Sequence, residues 1–157
     1  MNTRIVHAFV AVICAAAVMS LAATEWGALA RLDTGSAVAF AALVGMGLLS
    51  EALAIRLQVG RDAGNTSITF IPLLASVQLF GPPAAIVLMA VTGAFGEFAV
   101  RRKVFIRGIF NVSQWTCATF LGGWAFLALG GTALDAQIGG EAVAGLSGQL
   151  VPFMAFG

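Results

Sequence analysis

Six apolar runs, set apart by short polar stretches, leave this chain little choice of solvent. They cover residues 5–23, 38–55, 70–80, 84–100, 109–129 and 142–157. Hydrophobic residues make up 60% of the 157 positions and charged residues only 10%, with a mean hydropathy of +0.98. A water-soluble domain of this size cannot hide that much apolar surface in one core. The surface is therefore expected to face lipid. A bilayer core about 30 Å thick takes roughly 20 apolar residues per helix. The expected fold is all-α: a polytopic helical membrane bundle forming one integral membrane domain over residues 1–157, with about six transmembrane helices. Because the sixth run stops in mid-span, the chain is expected to be cut ahead of a cytoplasmic output domain.

The first run follows Arg4 and ends before Glu25-Trp26. An Arg-flanked apolar start ending in Ser20-Leu21-Ala22 has features of a cleaved signal peptide, but the run exceeds the usual h-region of about 7 to 15 residues. We read it as a retained span, with cleavage left open. The second run carries Glu51 in its last turns. Beyond it Ile55, Leu57 and Val59 alternate with polar residues or glycine, as do Ile68 and Phe70, around a turn-like Arg61-Asp62-Ala63-Gly64-Asn65. Either a short extended hairpin within residues 55–70 or an irregular polar loop fits this pattern. The run from Phe70 to Phe80 is too short to cross alone unless Ile68 and Thr69 join it. Pro72 suits its start, with Ser67 or Thr69 as cap. Gly81-Pro82-Pro83 ends it, and Pro83 fits the first position of the next helix.

Lys and Arg in short loops stay on the cytoplasmic side. With the N-terminus inside, the inner segments hold Arg4, Arg56, Arg61, Arg101, Arg102, Lys103 and Arg107, and the outer loops only Arg31. Arg101, Arg102 and Lys103 dominate this choice. Glu25, Asp33, Asp135 and Glu141 then lie outside.

Two carboxylates interrupt the apolar helices. Glu51 and Glu97 each lie near the inner end of a run, where an unpaired charge is costly and points to a partner or a water-filled cavity. Ala90, Gly93, Ala94 and Glu97 share a face, so small residues would let a neighbour approach beside the acid. Arg107, Asn111, Gln114 and Ala118 form a stripe on the next helix at the same depth. A cluster of Glu51, Glu97, Arg107, Asn111 and Gln114 follows, open to three roles: binding a ligand or acting as a switch, relaying protons, or clamping helices. The simpler alternative pairs Glu97 with Arg101 one turn on and lets Glu51 reach the interface.

No enzyme signature is present. His7 is the only histidine, no nucleophile has a base at useful spacing, and the glycines follow no strand in a phosphate-binding loop. His7, beside Arg4, reads as interfacial. Cys14 and Cys117 lie singly in apolar runs and read as packing residues, and Trp26, Trp115 and Trp124 as interfacial or packing residues. We expect no catalytic residue, metal or cofactor. A net charge of +1 gives no hint of a nucleic-acid partner.

Ser67-x-Thr69-Phe70, Leu79-Phe80-Gly81-Pro82-x-Ala84-Ala85, Gly93-x-x-Gly96-Glu97, Arg101-Arg102 and Phe110-Asn111-x-x-Gln114 together resemble the N-terminal multi-helix membrane module of bacterial GGDEF and HD-GYP proteins of cyclic di-GMP signalling. The resemblance spans about residues 50 to 130. It implies a bacterial inner-membrane sensor domain that reads an external or membrane cue and controls a cytoplasmic output, with Glu97 at the acid position of the pattern. No GGDEF or HD-GYP sequence is present, so their catalysis is not carried over.

Three function classes stay open: a sensory input module, a vitamin-type small-molecule transporter or its substrate-binding membrane subunit, and a structural membrane protein. The expected partners are the lipid bilayer and a small ligand or membrane cue. Signalling outputs commonly act as dimers, but no helix face carries a GxxxG pattern strong enough to choose an interface. The charge count makes one direct prediction. In a variant lacking Cys14 and Cys117, a cysteine placed at Lys103 should resist an impermeant thiol reagent added from outside, and labelling there would reverse the topology.

Overall fold

The computed structural model of the chain describes residues 3–59, 62–66 and 68–133. Helix α1 spans Thr3–Ala22, and a single turn, α2, covers Gly27–Ala30. Helix α3 spans Thr34–Ala52. Strands β1 (Ile55–Val59) and β2 (Asp62–Thr66) follow, then helices α4 (Phe70–Phe80) and α5 (Pro82–Ala94). The last turns of α5 continue as a π-helical segment, Phe95–Val100, and α6 spans Phe105–Ala128. The sixth apolar run lies outside the described residues.

Local chemistry explains most of these boundaries. Asp33 caps α3 by accepting hydrogen bonds from the backbone amides of Gly35 (3.0 Å) and Ser36 (3.1 Å), which serves amides that have no partner inside the helix. Hydrogen bonding, from the Ser36 side chain first and then from backbone amides, holds the Asp33 carboxyl below the usual carboxylate range. The ionic cap is thus complete above that range and is lost as pH falls through the lowered value. Gly81, at a φ of 83°, turns the chain between α4 and α5, a conformation that glycine adopts without a Cβ clash. Pro82 then begins α5, one residue earlier than expected, where its missing amide costs nothing.

Two expectations are corrected here. Asp62, Ala63, Gly64 and Asn65 are not a turn but most of β2, paired antiparallel with β1 from Ile55↔Thr66 to Val59↔Asp62. Ile68 and Thr69 precede α4 instead of forming a strand. Thr69 stands at the N-cap of α4 but makes no side-chain capping bond, because its hydroxyl is used elsewhere.

Among the described residues, three helices are long and apolar enough to cross a membrane: Arg4–Ala22, Thr34–Ala52 and Pro82–Val100. At 11 residues, α4 is only about 16 Å long. Helix α6 has the length, at 24 residues, but Arg107, Asn111 and Gln114 leave it less apolar than those three. In the Pro82–Val100 span 44% of the residues are buried, against 6% in Arg4–Ala22 and 11% in Thr34–Ala52. Helix α5 is therefore the centre, with α3, α4 and α6 packed on it and α1 packed on the far side of α6.

Small residues fill much of the interior beside Ile86, Leu88 and Phe126, and many large apolar side chains lie outside. Ala84, Ala85, Ser76 and Thr92 are fully buried, while Ile5, Val12, Met19, Val38 and Leu121 are each more than 60% exposed. Water would penalise that arrangement, but lipid tails are as apolar as leucine, so association rests on close approach of small residues. A Cβ on Gly47 of α3 would meet the Thr92 methyl of α5 at 2.6 Å, and one on Gly123 of α6 would meet Pro82 Cβ at 2.6 Å. The larger contacts include Phe126 against Val77 and Ala85, and the edge-on pair Phe40–Phe80 at 5.7 Å between α3 and α4. Cys14 and Cys117 lie between α1 and α6, where Ser113 Oγ donates to Cys14 Sγ at 3.4 Å. Gly47→Val should push α3 off α5 and lower unfolding stability by about 1–3 kcal/mol, whereas Gly45→Val, with open space around it, should change stability far less. Thermal unfolding in detergent distinguishes the two, and equal effects would contradict this packing.

Candidate functional site

One end of α5 holds the charged residues that the sequence singles out. The side chains of Glu51 and Glu97 are each only 7% exposed. They are brought together from α3 and from the π-helical end of α5 by one cation. The Arg101 guanidinium makes a salt bridge to Glu51 through Nη2 and donates to Glu97 Oε1 through Nη1 at 3.0 Å. Lys103 Nζ lies 3.0 Å from Glu97 Oε2. Asn111 Nδ2 of α6 donates to the same oxygen at 2.9 Å. On the other side, Thr69 donates its hydroxyl to Glu51 Oε1 at 2.8 Å. Both carboxylates are thereby held by charged and neutral donors, as burial of an ion requires.

The backbone is arranged to permit this. A Cβ on Gly96 would collide with the Glu51 carboxylate and stand 2.6 Å from Arg101 Nη1, so only glycine lets the acid of α3 reach the guanidinium here. The π-helical segment widens the helix at this level, a departure that recurs at functional positions. Arg102 then adopts a φ of 48°, rare for a residue with a Cβ. The backbone amide of Arg101 donates to the Gly96 carbonyl and that of Lys103 to the Glu97 carbonyl, at 2.9 and 3.0 Å. This reversal brings Arg101 and Lys103 back over Glu97. Gly108 admits α6, since a Cβ there would lie 2.5 Å from the Phe98 ring.

Of the five expected cluster residues, the structure brings Glu51, Glu97 and Asn111 into one network. Arg107 and Gln114 are not part of it. Arg107 is exposed and lines a groove with Arg102 and Lys103. Gln114 is exposed as well, about 200° round the helix from the buried Thr116. Their places are taken by Arg101 and Lys103, assigned from sequence to topology, and by Thr69, assigned to capping. Gly93 is also not a point of tight approach, since a Cβ there would meet only Met89 Cε at 3.3 Å and Val112 at 4.0 Å. The pairing of Glu97 with Arg101 was legible from their four-residue spacing. The bridge onward to Glu51, 50 residues away, left no local signal.

A second feature lies at the opposite end of α5. A cavity of about 360 Å3 is lined there by Thr24, Glu25, Gly81, Pro82, Ile86 and Trp124, among others. The turn from α4 to α5, Gly81-Pro82-Pro83, forms part of its wall. Comparison with protein-family models, with characterised protein sequences and with solved structures finds no match. The two glycines of Gly93-x-x-Gly96 should separate cleanly on substitution. Gly96→Ala should destabilise the protein by about 1–3 kcal/mol, and Gly93→Ala should be tolerated, as read by thermal unfolding in detergent. The reverse order would contradict the close approach of Glu51.

Proposed function

We propose that the chain is the membrane-embedded input module of a bacterial signal-transduction protein, a multi-pass inner-membrane bundle of about six helices with a cytoplasmic N-terminus. It regulates a cytoplasmic output of the cyclic di-GMP type. One observation carries the reading: a single guanidinium holds two buried carboxylates from different helices, with α6 and the approach to α4 joined to the same group. Such an arrangement is a natural two-state element, because weakening one contact exposes the others to the full cost of an unpaired buried charge.

In this topology the network of Arg101, Glu51 and Glu97, an ionic clasp, is at the cytoplasmic end and the 360 Å3 cavity faces outward. Helix α5 connects them: Pro82, Pro83 and Ile86 border the cavity, and Glu97 stands in the last turns of the same helix. A cue that binds better to one position of α5 shifts the balance at Glu97 by its difference in affinity, and by no more. The π-helical segment supplies a place for a small change of register.

The test uses cells carrying the full-length protein with Glu97→Gln, which keeps shape and removes charge. Membrane abundance should stay unchanged while cellular cyclic di-GMP is locked high or low. Each 1.4 kcal/mol by which the substitution shifts the two-state balance changes the ratio of the states about tenfold. Unchanged cyclic di-GMP at unchanged abundance would remove Glu97 from signalling, and loss of small-molecule uptake in the same cells would favour transport.

A further inference from the structure

Among the described residues, the charges at the Arg101 end of α5 do not balance. Glu51 and Glu97 are met by Arg101 and Lys103, whereas Arg102 and Arg107 form no salt bridge among the described residues. Both line a groove of about 460 Å3 at the start of α6, whose other walls are Lys103, Val104, Phe110 and Asn111. The positive φ of Arg102 places it on the groove while its neighbour Arg101 serves the carboxylates.

We infer that this groove binds the phosphate of an anionic phospholipid headgroup from the surrounding leaflet. The chemistry is that of a phosphodiester: two guanidinium groups offer planar forks that match phosphate oxygens. Val104 and Phe110 add an apolar wall that a free ion would not use. Val104 and Phe105, 70% and 69% exposed, continue that apolar surface along the chain. A basic pocket beside membrane helices is also where anionic headgroups concentrate. The lipid site requires no cue and no output domain, so it stands or falls separately from the signalling role.

The purified full chain in neutral detergent is titrated with phosphatidylglycerol, phosphatidylcholine and inorganic phosphate, and adducts are counted by native mass spectrometry. Phosphatidylglycerol should bind at least about tenfold more tightly than phosphatidylcholine. Arg102→Gln and Arg107→Gln should each weaken it about fivefold, and Arg31→Gln, which removes the same charge near the start of α3, should not. Arg107→Lys keeps the charge and loses the fork, and should fall between Arg107→Gln and the unaltered protein. Equal binding of the two lipids in the unaltered protein would overturn the site, whatever the variants do. So would an Arg31→Gln effect as large as those in the groove, which would mean diffuse surface charge. Inorganic phosphate that binds as tightly as phosphatidylglycerol and displaces it would make this a site for the free anion and overturn the lipid assignment.

Discussion

Arg101 sits between two glutamates that a bilayer would not otherwise accept. A carboxylate buried away from water loses several kilocalories of hydration, and only a close cation with further donors compensates that loss. Here the compensation comes from four residues in three parts of the chain. Arg101 and Lys103 follow the π-helical end of α5, Asn111 comes from α6, and Thr69 from the residues ahead of α4. Removing one partner of such a buried pair costs about 3–5 kcal/mol in general. At this end α3 and α5 are therefore tied by ion pairs, and α6 joins them through the Asn111 hydrogen bond.

The same reasoning accounts for the unusual backbone nearby. Gly96 is without a side chain because Glu51 and Arg101 occupy that space. Arg102 has left-handed backbone geometry because the chain must reverse within a few residues to bring Lys103 back over Glu97. Farther along α5, shape takes over from charge. Its buried face combines alanine, threonine and glycine with Ile86 and Leu88, and Phe126 of α6 and Val77 of α4 pack in beside Ala85. This central helix runs from an apolar cavity to an ionic clasp, so displacement at one end has a physical route to the other.

Much of this was legible in the sequence. The apolar runs located the long helices, the Gly81-Pro82-Pro83 turn fixed the end of α4, and three- and four-residue spacing put Glu97 and Asn111 on facing stripes. What the sequence hid depended on distance or on where a helix begins. Helix α6 starts at Phe105, earlier than its apolar run, so Arg107 falls in its first turn and faces the groove. Gln114 shares the spacing of Asn111 but turns off the contact side, as only the packing of α1 and α5 against α6 reveals. Thr69 looked like a cap because threonine before a helix usually is one, and the demand of Glu51 for a donor took precedence. The tight approach expected at Gly93 occurs at Gly96, three residues on, because Glu51 arrives from α3 and not from α6.

The central claim is that Arg101 couples α3 to the end of α5 through Glu51. A double-mutant cycle on the purified protein, with Glu51→Gln and Arg101→Gln singly and together, measures that coupling directly by unfolding in detergent. The account predicts that the combined loss is smaller than the sum of the single losses by about 1–3 kcal/mol, as for residues in direct contact. Additivity to within about 0.5 kcal/mol would mean that the two side chains act independently, and the clasp would not exist.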